Sequence, residues 1–162
     1  MANEYAPQEN QPTDTLTVSK TLSQQSTTGP SGQIISWDID KDGNADALTD
    51  GLLMLRYSFG LRDTALTENV IATGSILSSS EVSEELEATL SIADIDGDGQ
   101  IDALTDALIL LRYLFGLNGE SLTSGAVATG AVRTTPAAIT QYLLDNMQEP
   151  LVRYLIQLLL TR

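Results

Sequence analysis

Two stretches of the 162-residue chain, Asp38 to Leu61 and Asp94 to Leu117, are near copies. DIDKDGNADALTDGLLMLRYSFGL and DIDGDGQIDALTDALILLRYLFGL agree at 17 of 24 positions. The similarity continues more weakly beyond them. ALTENVIATG (65–74) aligns with SLTSGAVATG (121–130), with Leu66 opposite Leu122, Thr67 opposite Thr123 and an identical Ala-Thr-Gly at 72–74 and 128–130. The period is longer than the motif, which marks one supersecondary unit used twice. Neither unit alone can bury its apolar surface, so the expected fold is all-α, with two related units around one shared core and a pseudo-twofold relation between them.

Each unit is expected to run as a loop, an exit helix, a short helix and a third helix. The exit helices are predicted at Ala47 to Phe59 and Ala103 to Phe115. Gly60 and Gly116 stand where a left-handed C-terminal cap belongs, with Leu61 and Leu117 following. Leu52, Leu55 and Phe59 fall on one helical stripe, and Leu108, Leu111 and Phe115 on its counterpart, which suggests that the stripes face each other. The third helices carry N-terminal capping residues, Ser79 in the first unit and Thr135 before Pro136 in the second. Their apolar positions recur every four residues: Val82, Leu86 and Leu90, then Ile139, Leu143 and Met147.

The head of each copy is a pattern that a hard divalent cation requires. Aspartates stand at loop positions 1, 3, 5 and 9, and glycine at position 6 allows a sharp turn. In the first loop Asp38, Asp40 and Asp42 offer side-chain oxygens, Asn44 a backbone carbonyl and Asp46 a direct or water-mediated contact. In the second, Asp94, Asp96, Asp98, Gln100 and Asp102 repeat the set. This is the EF-hand order up to its end, where position 12 carries Thr49 or Thr105 instead of a bidentate Glu. The next acid comes one residue later, at Asp50 or Asp106. Either the loop is one residue longer and that aspartate closes the coordination sphere, the preferred alternative, or the site lacks a bidentate ligand and the aspartate merely favours a helix N-terminus.

The paired DxDxDG segments resemble dockerin-type calcium repeats, in which an EF-hand-like loop joins a single exit helix. Residues 38–61 and 94–117, a minority of the chain, carry the resemblance. It implies calcium-dependent folding around two Ca2+, secretion, and attachment of an extracellular polysaccharide-degrading enzyme to a cohesin-like partner. In that family the partner is met largely through the two residues after loop position 9, here Ala47 and Leu48, and Ala103 and Leu104. These are apolar instead of the Ser/Thr pair common in dockerins. The long segment 62–93 also separates the motifs where dockerins have a short connector.

Composition narrows the function further. The net charge is −14, and ten of the 22 acidic residues lie in the two loops. Such a balance repels nucleic acid and anionic membranes. Five carboxylates within each loop repel one another, so a cation that neutralises them acts as a folding ligand. The chain has no cysteine and no histidine, which removes disulfides, thiolate metal sites and the commonest general base. The start, MANEYAPQENQPTD, is not a signal peptide as written, and no apolar run reaches the roughly 20 residues of a membrane span. Export, to an extracellular or cell-surface location, is therefore an expectation from the resemblance.

The organisation expected is a disordered linker at 1–32, a tandem repeat domain at 33–149 with units near 37–92 and 93–149, and a C-terminal apolar helix at 150–162. That last helix either packs on the same chain or serves docking or self-association. Trp37, Tyr57 and Tyr113 read as core or cap residues, and Arg56 and Arg112 as partners of a loop carboxylate or covers for apolar surface. No catalytic residue is assigned. The expected function is a non-catalytic calcium-binding structural or interaction module. Alternatives are a calcium sensor that exposes an apolar groove and, more remotely, a polysaccharide hydrolase using Asp46 and Asp102.

Overall fold

The computed structural model describes residues 35–147. The linker expected at 1–32, the helix expected at 150–162 and the outermost residues of the repeat domain lie outside the described residues. Within them the regular structure is helical: α1 (Leu52–Ser58), α2 (Asp63–Thr67), α3 (Ser79–Thr89), α4 (Asp106–Leu114), α5 (Glu120–Thr123) and α6 (Pro136–Met147). The order of loop, exit helix, short helix and third helix occurs twice, as the repeat implied.

Both exit helices end in the expected glycine cap. Gly60 and Gly116 have φ of 86° and 83°. Leu61 N–H donates to Arg56 O and Gly60 N–H to Tyr57 O, and Leu117 and Gly116 repeat this on Arg112 and Tyr113. This pair of bonds satisfies carbonyls the helix end leaves open. The following short helices are tied back by the two repeat-related arginines. Arg56 donates to the carbonyls of Leu66 and Glu68, and Arg112 to those of Leu122 and Ser124. Among the described residues the arginines therefore close the ends of α2 and α5 and make no pair with a loop carboxylate. A cation at a helix C-terminus meets both the open carbonyls and the negative end of the dipole.

A single apolar cluster joins the units. Trp37, Ile39, Leu53, Met54, Leu66, Val82 and Leu86 from the first meet Ile95, Ile109, Leu110, Leu122, Ile139 and Leu143 from the second. Trp37 is fully buried and its indole N–H donates to Leu143 O at 3.2 Å, so the start of the first unit is fastened to the last helix of the second. The exit helices meet through a small residue: a Cβ on Gly51 would lie 3.0 Å from Leu111 Cδ1 and 3.3 Å from Leu114 Cδ1. The start of α1 is thus pressed against the end of α4.

Three details depart from expectation. The regular exit helices begin at Leu52 and Asp106, later than Ala47 and Ala103, because a wider turn precedes each. The deepest residues on them are Leu53, Met54, Ile109 and Leu110, while Leu52, Leu55, Leu108 and Leu111 are half-buried and Phe59 and Phe115 are more than half exposed. The helix stops just before each phenylalanine, so the stripe that periodicity drew through Phe59 and Phe115 has no helix to carry it there. At α3 the cap is Ser78, one residue before the predicted Ser79. Its hydroxyl accepts from Glu81 N–H while the Glu81 carboxylate accepts from Ser78 N–H, a capping box. Thr135 caps α6 as expected, accepting from Ala138 N–H at 3.2 Å.

Candidate metal centres

Each acidic loop is folded by its own carboxylates. Asp38 Oδ2 accepts from Gly43 N–H and Asp94 Oδ2 from Gly99 N–H, closing the loop from position 1 to position 6. Asp40 and Asp96 accept from the N–H of Asp42 and Asp98, and these in turn accept from Asn44 and Gln100. Gly43 and Gly99 adopt φ of 99° and 92°. A side chain there would be strained, so glycine at position 6 is a backbone requirement.

The displaced acid has a structural cause. Gly51 N–H donates to Asp46 O and Ala107 N–H to Asp102 O, so a wide π-type turn stands between loop and helix. That turn absorbs one extra residue. It delivers Asp50 and Asp106 to the loop interior, where both are buried. Asp50 Oδ1 accepts from the N–H of Ile39 and Asp40, and Oδ2 from Asp46 N–H and the Thr49 hydroxyl. Asp106 does the same with Ile95, Asp96, Asp102 and Thr105. Neither sits as a simple helix-dipole partner; each staples the start of its loop to the end.

Asp40 and Asp96 have a second task that periodicity did not suggest. Their Oδ2 atoms accept from the N–H of Ala72 and Ala128, the first residues of the two Ala-Thr-Gly triplets, at 2.7 and 2.8 Å. The identical triplets at the same offset from the third loop position were the clue in the sequence. Both aspartates are fully buried between loop and triplet.

Two groups of carboxylates converge closely enough to hold one ion each: Asp38, Asp40 and Asp42, and Asp94, Asp96 and Asp106, with the oxygens of each group within 4.8 Å of one another. Asp98 lies beside the second group through its bonds to Asp96 and Gln100. Asp46, Asp102, Asn44 and Gln100 are exposed at the loop rims, and Asp50 lies at the foot of the first group with its oxygens turned to backbone N–H donors.

The donor set fits a hard cation, since every converging atom is a carboxylate oxygen. An unsatisfied atom marks the first group: Asp38 Oδ1 is buried without a hydrogen-bond partner among the described residues. Its counterpart, Asp94 Oδ1, accepts from Gly97 N–H. Burial raises the carboxyls of Asp38, Asp40 and Asp96 above the usual range, and neighbouring loop acids add to it, against the nearby Lys41 at Asp38 and the N–H donors of Ala72 and Ala128. Burial likewise pushes Asp50 up to about 6, against its three N–H donors. In each case burial disfavours the charged form.

No family model, curated protein or solved structure matches this chain. Among the described residues no helix is long and apolar enough to cross a membrane.

Proposed function

We propose that the chain is a non-catalytic calcium-binding module of an exported protein, dockerin-like in design, stabilised by two Ca2+. The observation that carries this reading is the pair of converging all-oxygen clusters, with the unsatisfied Asp38 Oδ1 inside one of them. Asp38, Asp40 and Asp42 would hold the first ion, and Asp94, Asp96 and Asp106 the second, with Asp98 and the rim residues Asn44, Asp46, Gln100 and Asp102 completing the EF-hand-like sets. Calcium supplies charge neutralisation and a fixed focus for the loop oxygens. The loops fix the π-type turns, and through Asp40 and Asp96 they fix the Ala-Thr-Gly triplets.

The interaction half of the proposal draws on surface residues that recur at the repeat spacing. Leu48 and Leu104, Phe59 and Phe115, and Ile76 and Val132 are each more than half exposed, in matched pairs. Apolar groups kept outside in both copies suit a protein partner of the cohesin type.

Titrating Ca2+ into chelated protein while following helicity and melting temperature tests the metal reading. Both should rise, with about 2.7 kcal/mol of stabilisation at a hundredfold excess over the dissociation constant. A flat response in both would overturn it.

A further inference from the structure

The two loops are not gripped alike. Around the second, Arg133 Nε donates to Ile95 O at 2.5 Å and a terminal guanidinium nitrogen donates to Asp94 O, while Arg133 N–H donates to Asp96 O at 2.7 Å. One residue thereby holds the first three carbonyls of the loop. Its guanidinium is oriented by stacking on Tyr142, 4.0 Å from the ring centroid, and Tyr142 is itself fixed by donating its hydroxyl to Ile92 O. Gly97 makes room: a Cβ there would lie 3.1 Å from the guanidinium carbon. In the first unit the residue at this place is Leu77, which has no side-chain donor; there the Ser75 hydroxyl donates to Asp40 O and the loop's own Lys41 supplies the buried cation.

We propose that Arg133 is the positioning residue of the second metal loop. It holds the backbone from Asp94 to Asp96 in the binding arrangement before the ion arrives, so that loop 2 binds calcium more tightly than loop 1. This rests on the metal reading above. The physical reason is preorganisation: an acidic loop that must order itself on binding gives up affinity, whereas one already fixed does not. Arginine suits the task because its planar fork can hold two carbonyls at once, and a lysine ammonium cannot do so with the same geometry.

The test is a Ca2+ titration of the whole chain followed by NMR, with the amides of Gly43 and Gly99 reporting the two loops separately, since each donates to the first aspartate of its own loop. Arg133→Leu installs the residue that unit 1 tolerates at this place. Loop 2 should lose affinity by about tenfold or more, on the order seen when an outer support of a metal ligand is removed. Loop 1 should stay within about twofold, and Arg133→Lys should recover little. In calcium-free protein, the Gly97 and Gly99 amides should exchange with solvent faster in Arg133→Leu, and Gly43 should not. Loop 2 affinity unchanged in Arg133→Leu, or equal losses at both loops, overturns the assignment; if that variant does not fold at saturating calcium, Arg133→Lys is judged by the same criterion. A wild-type chain in which neither glycine responds to calcium overturns the metal reading as well, an outcome distinct from normal wild-type binding with an indifferent Arg133.

Discussion

In the first unit the cation against the metal loop is the loop's own fourth residue, Lys41; in the second it is Arg133, reaching in from the segment before α6. Lys41 is buried and pairs with the buried Glu85 of α3 at 3.8 Å. At the equivalent places the second unit has Gly97 and Gln141, and where it has Arg133 and Tyr142 the first has Leu77 and Leu86. The two arrangements compete for the same space, because a Cβ at 97 would lie 3.1 Å from the guanidinium carbon. Both copies have nonetheless kept a positive charge at the loop and a tie from that loop to the third helix. The duplication thus preserves a charge at a place, and the residue that supplies it is free to move. Lys41 also adopts φ of 56°, the left-handed region that Gly97 occupies at 79°. Unit 1 therefore tolerates backbone strain to seat its cation.

The strongest challenge to this likeness of the units is removal of the stapling acids. Asp50→Ala and Asp106→Ala each strand two buried backbone N–H groups and one part-buried one. We expect a loss of about 4 kcal/mol for either, since an unsatisfied buried donor costs roughly 1 to 3 kcal/mol. Denaturant unfolding with calcium held at saturation measures both. Losses that differ by more than the cost of one stranded buried donor, about 2 kcal/mol, would mean that the matched hydrogen bonds do unmatched work.

The exchange of cations is tested next by transplanting it. Glu85→Gln removes one carboxylate partner of the buried Lys41 ammonium, which still lies near Asp38, and should cost about 2 kcal/mol. The triple variant Lys41→Gly, Leu77→Arg, Glu85→Gln writes the second unit's arginine into the first, with Leu86 where the second has the Tyr142 ring. It should regain most of that loss and raise the calcium affinity of loop 1. A triple variant no more stable than Glu85→Gln would show that the first unit has diverged too far to accept the other's support.

Acid separates the loops from the helix caps by sign. The folded carboxyl of Asp50 titrates at about 6, above its unfolded value of 3.8, so between these values the folded chain binds more protons than the unfolded one. Its contribution favours folding at low pH and is lost as pH rises through about 6. The size is about 3 kcal/mol, at roughly 1.4 kcal/mol per unit. Asp38, Asp40 and Asp96 are raised in the same sense. Calcium-free protein should therefore melt higher at pH 5 than at pH 7. Bound calcium should flatten or reverse that order by favouring the ionised loops. A calcium-free melting temperature that rises from pH 5 to pH 7 would contradict the burial assigned to these acids.

Much of this architecture could be seen in the residues alone, and what escaped has physical reasons. Loop glycines, the glycine caps at Gly60 and Gly116 and the burial of Trp37 follow from local geometry and size. The π-type turn did not, because an i to i−5 bond has no residue signature. Its trace was the aspartate displaced by one in both copies. The grip of Asp40 on Ala72 and of Asp96 on Ala128 joins residues too far apart for any helical or strand period to link. The cation exchange was written in the sequence as paired departures, Lys41 for Gly97 and Leu77 for Arg133. Such pairs acquire meaning only when the structure brings them to one place. Phe59 and Phe115 misled because periodicity continues past a helix end that the glycine cap had already announced.

The caps of the third helices offer the smallest and cleanest comparison. Ser78 takes part in a reciprocal box with Glu81, whose carboxylate accepts from the Ser78 N–H at 2.8 Å and from its hydroxyl at 2.6 Å. Among the described residues the Thr135 hydroxyl has one bond, from Ala138 N–H, and Ala137 and Ala138 offer no carboxylate to return it. Ser78→Ala should therefore cost about 1 kcal/mol and Thr135→Ala somewhat less. The bonds from Ser78 hold the exposed Glu81 carboxyl below its usual range. Its contribution is present above the unfolded value and lost as pH falls, opposite in sign to that of Asp50. Comparing the wild type with Ser78→Ala, Glu81→Gln and the double variant, beside Thr135→Ala, at pH 7 and pH 4 isolates the box: the cap's advantage over Thr135 should shrink at pH 4 if the carboxylate supplies it. An advantage unchanged by pH would assign it to the serine hydroxyl alone, and the third helices would then be capped alike despite the different residues around them.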